Sequence, residues 1–130
     1  MAKLVGTWEY VEPRKVEDDV NLVGATTLIM TEADRRKLGD NSMKLQVRVM
    51  DDDTFGDDTV YADDSFQVGP ALSQVGPNTI GLNAVVKHSK VEDSEPVWEG
   101  SAELYFKVRA VGPGVVTNWA TSQNEDVPYE

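Results

Sequence analysis

Apolar and polar residues alternate one for one along Met43-Lys44-Leu45-Gln46-Val47-Arg48-Val49. Successive side chains of a strand point to opposite faces, so this pattern predicts a strand with one face in a core and one in water. Ile80 to Val86 and Leu104 to Ala110 alternate in the same way. In the latter, Phe106 and Val108 turn one way while Lys107 and Arg109 turn the other. Leu4 to Val11, Leu22 to Met30, Val60 to Val68 and Val115 to Ala120 are further strand candidates. Turn signals stand between these runs: Gly39-Asp40-Asn41, Gly69-Pro70, Gly76-Pro77-Asn78 and Gly112-Pro113-Gly114. Short alternating strands at this spacing predict an all-β fold, an antiparallel β-sandwich of about seven to eight strands. A closed up-and-down barrel is the alternative.

One short helix interrupts the pattern. Thr31 is placed to cap it, Asp34 stands three residues on, and Gly39 ends it after Leu38. With 130 residues the chain fits one domain. Residues 1–120 are expected to form it, and the polar stretch 121–130 is expected to be a flexible C-terminal tail. There is no cysteine, so neither a disulfide framework nor a thiolate nucleophile is available. The opening residues mix Lys3 and Glu9 among apolar positions, unlike a secretory leader, and no run is long enough for a membrane-spanning helix. The compartment is left undetermined.

The formal net charge of −11 opposes non-specific binding of nucleic acid, itself a polyanion. Much of this charge is concentrated. Residues 51–64 hold Asp51, Asp52, Asp53, Asp57, Asp58, Asp63 and Asp64 and no base. A strand runs into Asp51-Asp52-Asp53-Thr54-Phe55-Gly56-Asp57-Asp58 and a second strand leaves it. Calcium takes about six to eight oxygen ligands, and a tight loop of carboxylates and carbonyls supplies them. Asp51 and Asp53, two apart, are expected to face one side. Gly56 permits the turn, and Asp57 or Asp58 closes the site from the other limb, with Asp52 as an alternate.

This stretch resembles the third calcium loop of C2 domains, in which an apolar strand ends in Asp-x-Asp with an aromatic two residues later. Asp51 and Asp53 match the first two ligands, Phe55 the aromatic and Asp58 the later aspartate. The resemblance covers about 20 of 130 residues. The family's first calcium loop has no clear counterpart; only Asp18 and Asp19, or Asp40, could supply its carboxylates. The resemblance implies a calcium-binding sandwich in which the ion neutralises the loop and presents a positive surface to an anionic partner. An EF-hand is excluded, because its fifth and twelfth loop positions would be Phe55 and Ala62 and the flanks are strands.

Gly6-Thr7-Trp8 resembles the Gly-x-Trp start of lipocalins and fatty-acid-binding proteins. That likeness implies a ligand-binding barrel, with Arg109 as the basic residue packed across the tryptophan. His88 is the only histidine, too little for a catalytic dyad or an imidazole-rich metal site. Neither a nucleophile elbow nor a phosphate-binding glycine loop is present. Lys44, Gln46 and Arg48 share one strand face, and Lys107 and Arg109 share another.

The expected function is therefore that of a non-catalytic binding module, not an enzyme. Through loop 51–58 it would make calcium-dependent contact with a protein partner or an anionic membrane surface. A structural or assembly subunit, including a homo-oligomer, is the alternative, and a small-molecule-binding lipocalin-like barrel is the second alternative.

Overall fold

The computed structural model describes residues 3–4, 10–16, 19–52, 57–67, 74–87, 89 and 101–128. The strands and the helix set out in full among these residues are, in order, β1 (Lys3–Leu4), β2 (Tyr10–Val16), β3 (Asp19–Met30), α1 (Glu32–Leu38), β4 (Lys44–Asp51), β5 (Asp58–Gln67), β6 (Gly76–Val86), β7 (Ser101–Gly112), β8 (Val115–Val116), β9 (Ala120–Thr121) and β10 (Glu125–Pro128). Every pairing among them is antiparallel.

Two sheets result. In the first, β3 pairs with β6 along one edge and with β1 and β2 along the other. Pro13 lies on β2, an outer position where a residue without an N–H does least harm. In the second sheet β7 is central. It pairs with β4 on one side, beyond which lies β5, and with β8, β9 and β10 on the other. Among the described residues the ten segments thus occupy seven strand positions, and the two sheets do not close into a barrel. The sandwich is as expected; the lipocalin-like barrel is not what the chain forms. Trp8, on which that alternative rested, lies outside the described residues, as does His88.

Each alternating run buries the face its pattern predicted. Leu45, Val47 and Val49 of β4 stand beside Leu104, Phe106, Val108 and Ala110 of β7 on the inner face of the second sheet. Opposite them stand Val20, Leu22, Leu28 and Met30 of β3 and Ile80, Leu82, Ala84 and Val86 of β6. Phe106 is the largest of the fully buried side chains among the described residues. Helix α1 closes one end. Thr31 Oγ1 accepts from the Asp34 N–H at 3.2 Å, and Gly39 terminates the helix at φ 58°. Leu38 is buried beneath it, against Gly112 of β7. A Cβ on Gly112 would lie 2.6 Å from Leu38 Cδ2, so the absent side chain is what lets the helix sit down on the sheet.

Within 121–130, expected from its polarity to be a tail, Thr121 and Glu125–Pro128 lie in strands. β9 and β10 extend the second sheet as far as Pro128. The reason lies in β7. Its twelve residues leave one edge of backbone donors and acceptors that the C-terminal segments satisfy.

Candidate functional site

The C-terminal strand pairs with β7 in three pieces because it carries one residue too many, twice. Val116 opposes Val111 and Ala120 opposes Val108, so four steps on one strand match three on the other. The same slip recurs between Thr121, opposite Lys107, and Glu125, opposite Leu104. A one-residue bulge of this kind breaks the ladder locally and re-aims side chains.

A buried hydroxyl repairs each break. Thr117 donates its N–H to the Ala110 carbonyl at 2.9 Å, and its Oγ1 accepts from the Ala110 N–H at 2.9 Å. Five residues later Ser122 does the same with Phe106, donating its N–H at 2.9 Å and accepting through Oγ at 2.8 Å. Both hydroxyls then donate to the carbonyl of the following residue, Asn118 or Gln123. The bulges turn Trp119 and Asn124 onto the outer face of the sheet, each two residues beyond its hydroxyl.

That outer face is built in rows, since residues opposite each other on antiparallel strands share a side. Gln46 of β4 stands opposite Arg109 of β7, Arg48 opposite Lys107, and Met50 opposite Tyr105. The two cationic strand faces identified separately in the sequence are therefore one surface. Arg109 donates to Gln46 Oε1 at 2.9 Å, and Arg48 pairs with Asp64 of β5 at 2.5 Å. Trp119, 37% exposed, lies against two of the cations. Its ring centroid is 4.5 Å from the Arg109 guanidinium carbon and 5.3 Å from Lys107 Nζ. Such stacking contributes about 0.5–1 kcal/mol at exposed sites and holds the cations in place. Lys44 completes this basic half at the far end of β4 and is exposed.

The other end of the same face is acidic. Asp52 donates its N–H to the Glu103 carbonyl at 2.8 Å, and its carboxylate accepts from Asn124 Nδ2. Asp57 accepts from the Tyr105 hydroxyl. Asp52, Asp57 and Glu103 are exposed.

Strand geometry separates the loop aspartates. Asp51 lies on the inner side with Leu45, Val47 and Val49 and has no exposed surface, and Asp58 is its cross-strand partner. Asp52 and Asp57 serve the outer side. Asp53 and Phe55 lie outside the described residues. Among the described residues no three acidic or histidine side chains group as a metal ion would require. Asp40 sits beyond the start of β4, whereas Asp51 sits at its end, so a shared ion is out of reach of both. The contacts of Trp119, Tyr105, Thr117, Ser122 and Asn124 were not read from the sequence. The one available signal was the hydroxyl–amide pair Thr117-Asn118, echoed by Ser122-Gln123.

Tyr105 carries a titration signature. Burial of its ring, its bond to Asp57 and the charges of Asp57 and Asp52 push the phenol from 10.0 up to about 12. Tyr61 is also raised, by burial and then by the Asp63 charge. A pKa higher in the folded than in the unfolded chain means stability that is intact below pH 10 and lost as pH rises through about 12. In a spectrophotometric titration at alkaline pH, the Tyr105 phenol should ionise later than an ordinary tyrosine. Asp57→Asn should bring it back toward the ordinary value, and an unchanged curve would mean that the bond is not formed in solution.

A shallow cleft of about 400 Å³ lies at the opposite end of β4, between Asn41, Ser42, Lys44, Val111, Gly112 and Pro113. Lys44 is its one titratable lining residue. No helix of the described residues is long and apolar enough to cross a membrane. Comparison with protein-family models, with curated proteins and with solved structures gave no match.

Proposed function

We propose that this chain is a non-catalytic binding module that meets an acidic protein partner through the outer face of its second sheet. The observation that carries the reading is the stacking of Trp119 on Lys107 and Arg109 beside Arg48 and Lys44, in a chain whose net charge is −11. Four of twelve basic residues gather on one face; the Trp119 ring holds Lys107 and Arg109, and Gln46 also bonds Arg109. Aromatic and arginine side chains are the residues that most often carry binding energy at interfaces.

The acidic half of the same face favours a protein over a lipid surface. An anionic membrane offers one sign of charge everywhere and would repel Asp52, Asp57 and Glu103. A protein can oppose both halves at once. The calcium expectation rests on Asp51, Asp53 and Asp58, with Asp52 and Asp57 as alternates. Calcium is varied in the test and has no part in the proposed mechanism.

Tryptophan fluorescence reads this face when a Trp119→Phe variant is subtracted to remove Trp8 and Trp98. Poly-L-glutamate should produce a saturable change in the Trp119 signal, which poly-L-lysine should not. Lys107→Gln with Arg109→Gln should weaken the response roughly tenfold. A response confined to vesicles of anionic phospholipid would transfer the face to membranes and overturn the proposal, as would no response to either probe. A response that appears only with calcium would place the ion at the hairpin tip and restore the loop to the mechanism.

A further inference from the structure

We infer that the outer face of the second sheet is self-complementary, and that the acidic partner it fits is a second copy of this chain. The inference rests on the reading of this face as a binding surface, and it names the occupant.

Charge along the face changes sign once. Lys44, Arg48, Lys107 and Arg109 occupy one half, where Asp64 of β5 pairs with Arg48. Asp52, Asp57 and Glu103 occupy the other. The row between them holds Met50 and Tyr105, which stand opposite each other on β4 and β7. Consider a twofold axis in the plane between two stacked sheets, running across the strands at this row. It reverses strand direction and leaves each strand facing its own copy. Lys107 then faces Glu103 of the second copy, and Arg48 faces Asp52 of the second copy. Each contact occurs twice, as an isologous interface demands. The strand register sets these pairs, because Glu103 and Lys107 lie equally far on either side of Tyr105, as Asp52 and Arg48 do about Met50.

The groups are also held in place for this contact. Trp119 holds the two β7 cations, Asn124 holds Asp52 and Tyr105 holds Asp57. Less side-chain freedom is lost on docking when the charges are already positioned. The two copies also repel, each carrying −11. At physiological ionic strength the screening length is about 8 Å, which quiets distant charges but leaves touching pairs effective. The face is roughly 26 Å long and, over four strands, roughly 19 Å wide. A surface of that size belongs to the weak, transient class of interfaces, with total burial near or below about 1,200 Å². The inferred dimer is therefore one that forms and dissociates with concentration.

Charge exchange tests the geometry as well as the association. Sedimentation velocity of the full chain, from about 10 μM to about 500 μM, should show the weight-average mass rising from monomer toward dimer. Lys107→Glu with Arg48→Glu makes all four contacting positions acidic, and Asp52→Lys with Glu103→Lys makes all four basic. Each doubly substituted chain alone should associate roughly a hundredfold more weakly than the parent. Mixed in equal amounts, the two should form a heterodimer, because every contact again joins opposite signs. Recovery on mixing also shows that neither variant failed by misfolding.

A parent chain that stays monomeric throughout, a dimer indifferent to both exchanges, or a mixture no more associated than its parts would each overturn the inference. If Trp119 still responds to poly-L-glutamate in that event, the face remains a binding surface for a different acidic protein. If it does not, the functional reading fails with the dimer.

Discussion

Replacing Phe106 with alanine is expected to destabilise the fold by about 3–5 kcal/mol, the range for truncating a fully buried aromatic. No part of Phe106 is exposed, and it lies on the central strand of the second sheet, opposite Val49 and within the layer shared by both sheets. Its neighbours Leu104, Val108, Val47 and Leu45 are on strands paired on both sides, so they cannot move inward without breaking ladder bonds. The cavity should therefore stay largely open, which places the cost toward the upper part of the range. Domains of this size have about 5–15 kcal/mol in all, so the substitution removes a large share of it. Urea denaturation gives the difference as a lower midpoint at unchanged slope. A loss below about 1 kcal/mol would show that the two sheets do not meet at Phe106.

The second large effect concerns the two hydroxyls of the C-terminal strand. Thr117→Val keeps the shape of the side chain and removes the acceptor for the Ala110 N–H. Ser122→Ala removes the acceptor for the Phe106 N–H. Thr117 and Ser122 are 6% and 8% exposed, and Ala110 and Phe106 are buried completely, so water does not replace the lost partner. An unsatisfied buried donor costs about 1–3 kcal/mol. The two sites share no partner, and the double substitution should approach the sum, about 2–6 kcal/mol.

Thr117→Ser and Ser122→Thr, which keep the hydroxyl, should recover most of the loss. The two sites should also differ in their consequences for the outer face. Only the Thr117 bulge aims Trp119, so Thr117→Val should shift Trp119 emission and Ser122→Ala should leave it unchanged. Equal shifts from both, or a cost that the hydroxyl-retaining variants do not relieve, would count against the bulge mechanism.

These two sets of residues mark where sequence reading succeeds and where it stops. Phe106 was legible because period-two alternation reports the face of each residue on its own strand, without any knowledge of the neighbour. The same local logic found the Thr31 cap and the Gly39 terminus of α1, since capping involves residues three or four apart. Thr117 and Ser122 were not legible. Their acceptor role is defined by Ala110, seven residues away, and Phe106, sixteen residues away, and a hydroxyl in a polar stretch looks like solvent-exposed loop. The expectation of a tail over 121–130 has the same cause: an unpaired edge on β7 cannot be seen from the segment that fills it.

The aspartate loop shows the difference most directly. Its composition was plain, and alternation alone separates Asp51 from Asp52. Whether any of the carboxylates converge depends on neighbouring strands, and those supply a phenol to Asp57 and an amide to Asp52.

Burial preference and strand periodicity, both properties of adjacent residues, were enough to specify an all-β chain, its short helix and its inner faces. Register was decided only by the folded molecule. Register joined Arg48 to Lys107, brought Trp119 over the cations and set an acidic half beside a basic one. Strand pairing couples residues distant in sequence, and its hydrogen bonds are made by backbone groups that every residue shares, so side-chain pattern alone carries little information about which strands meet or at what offset.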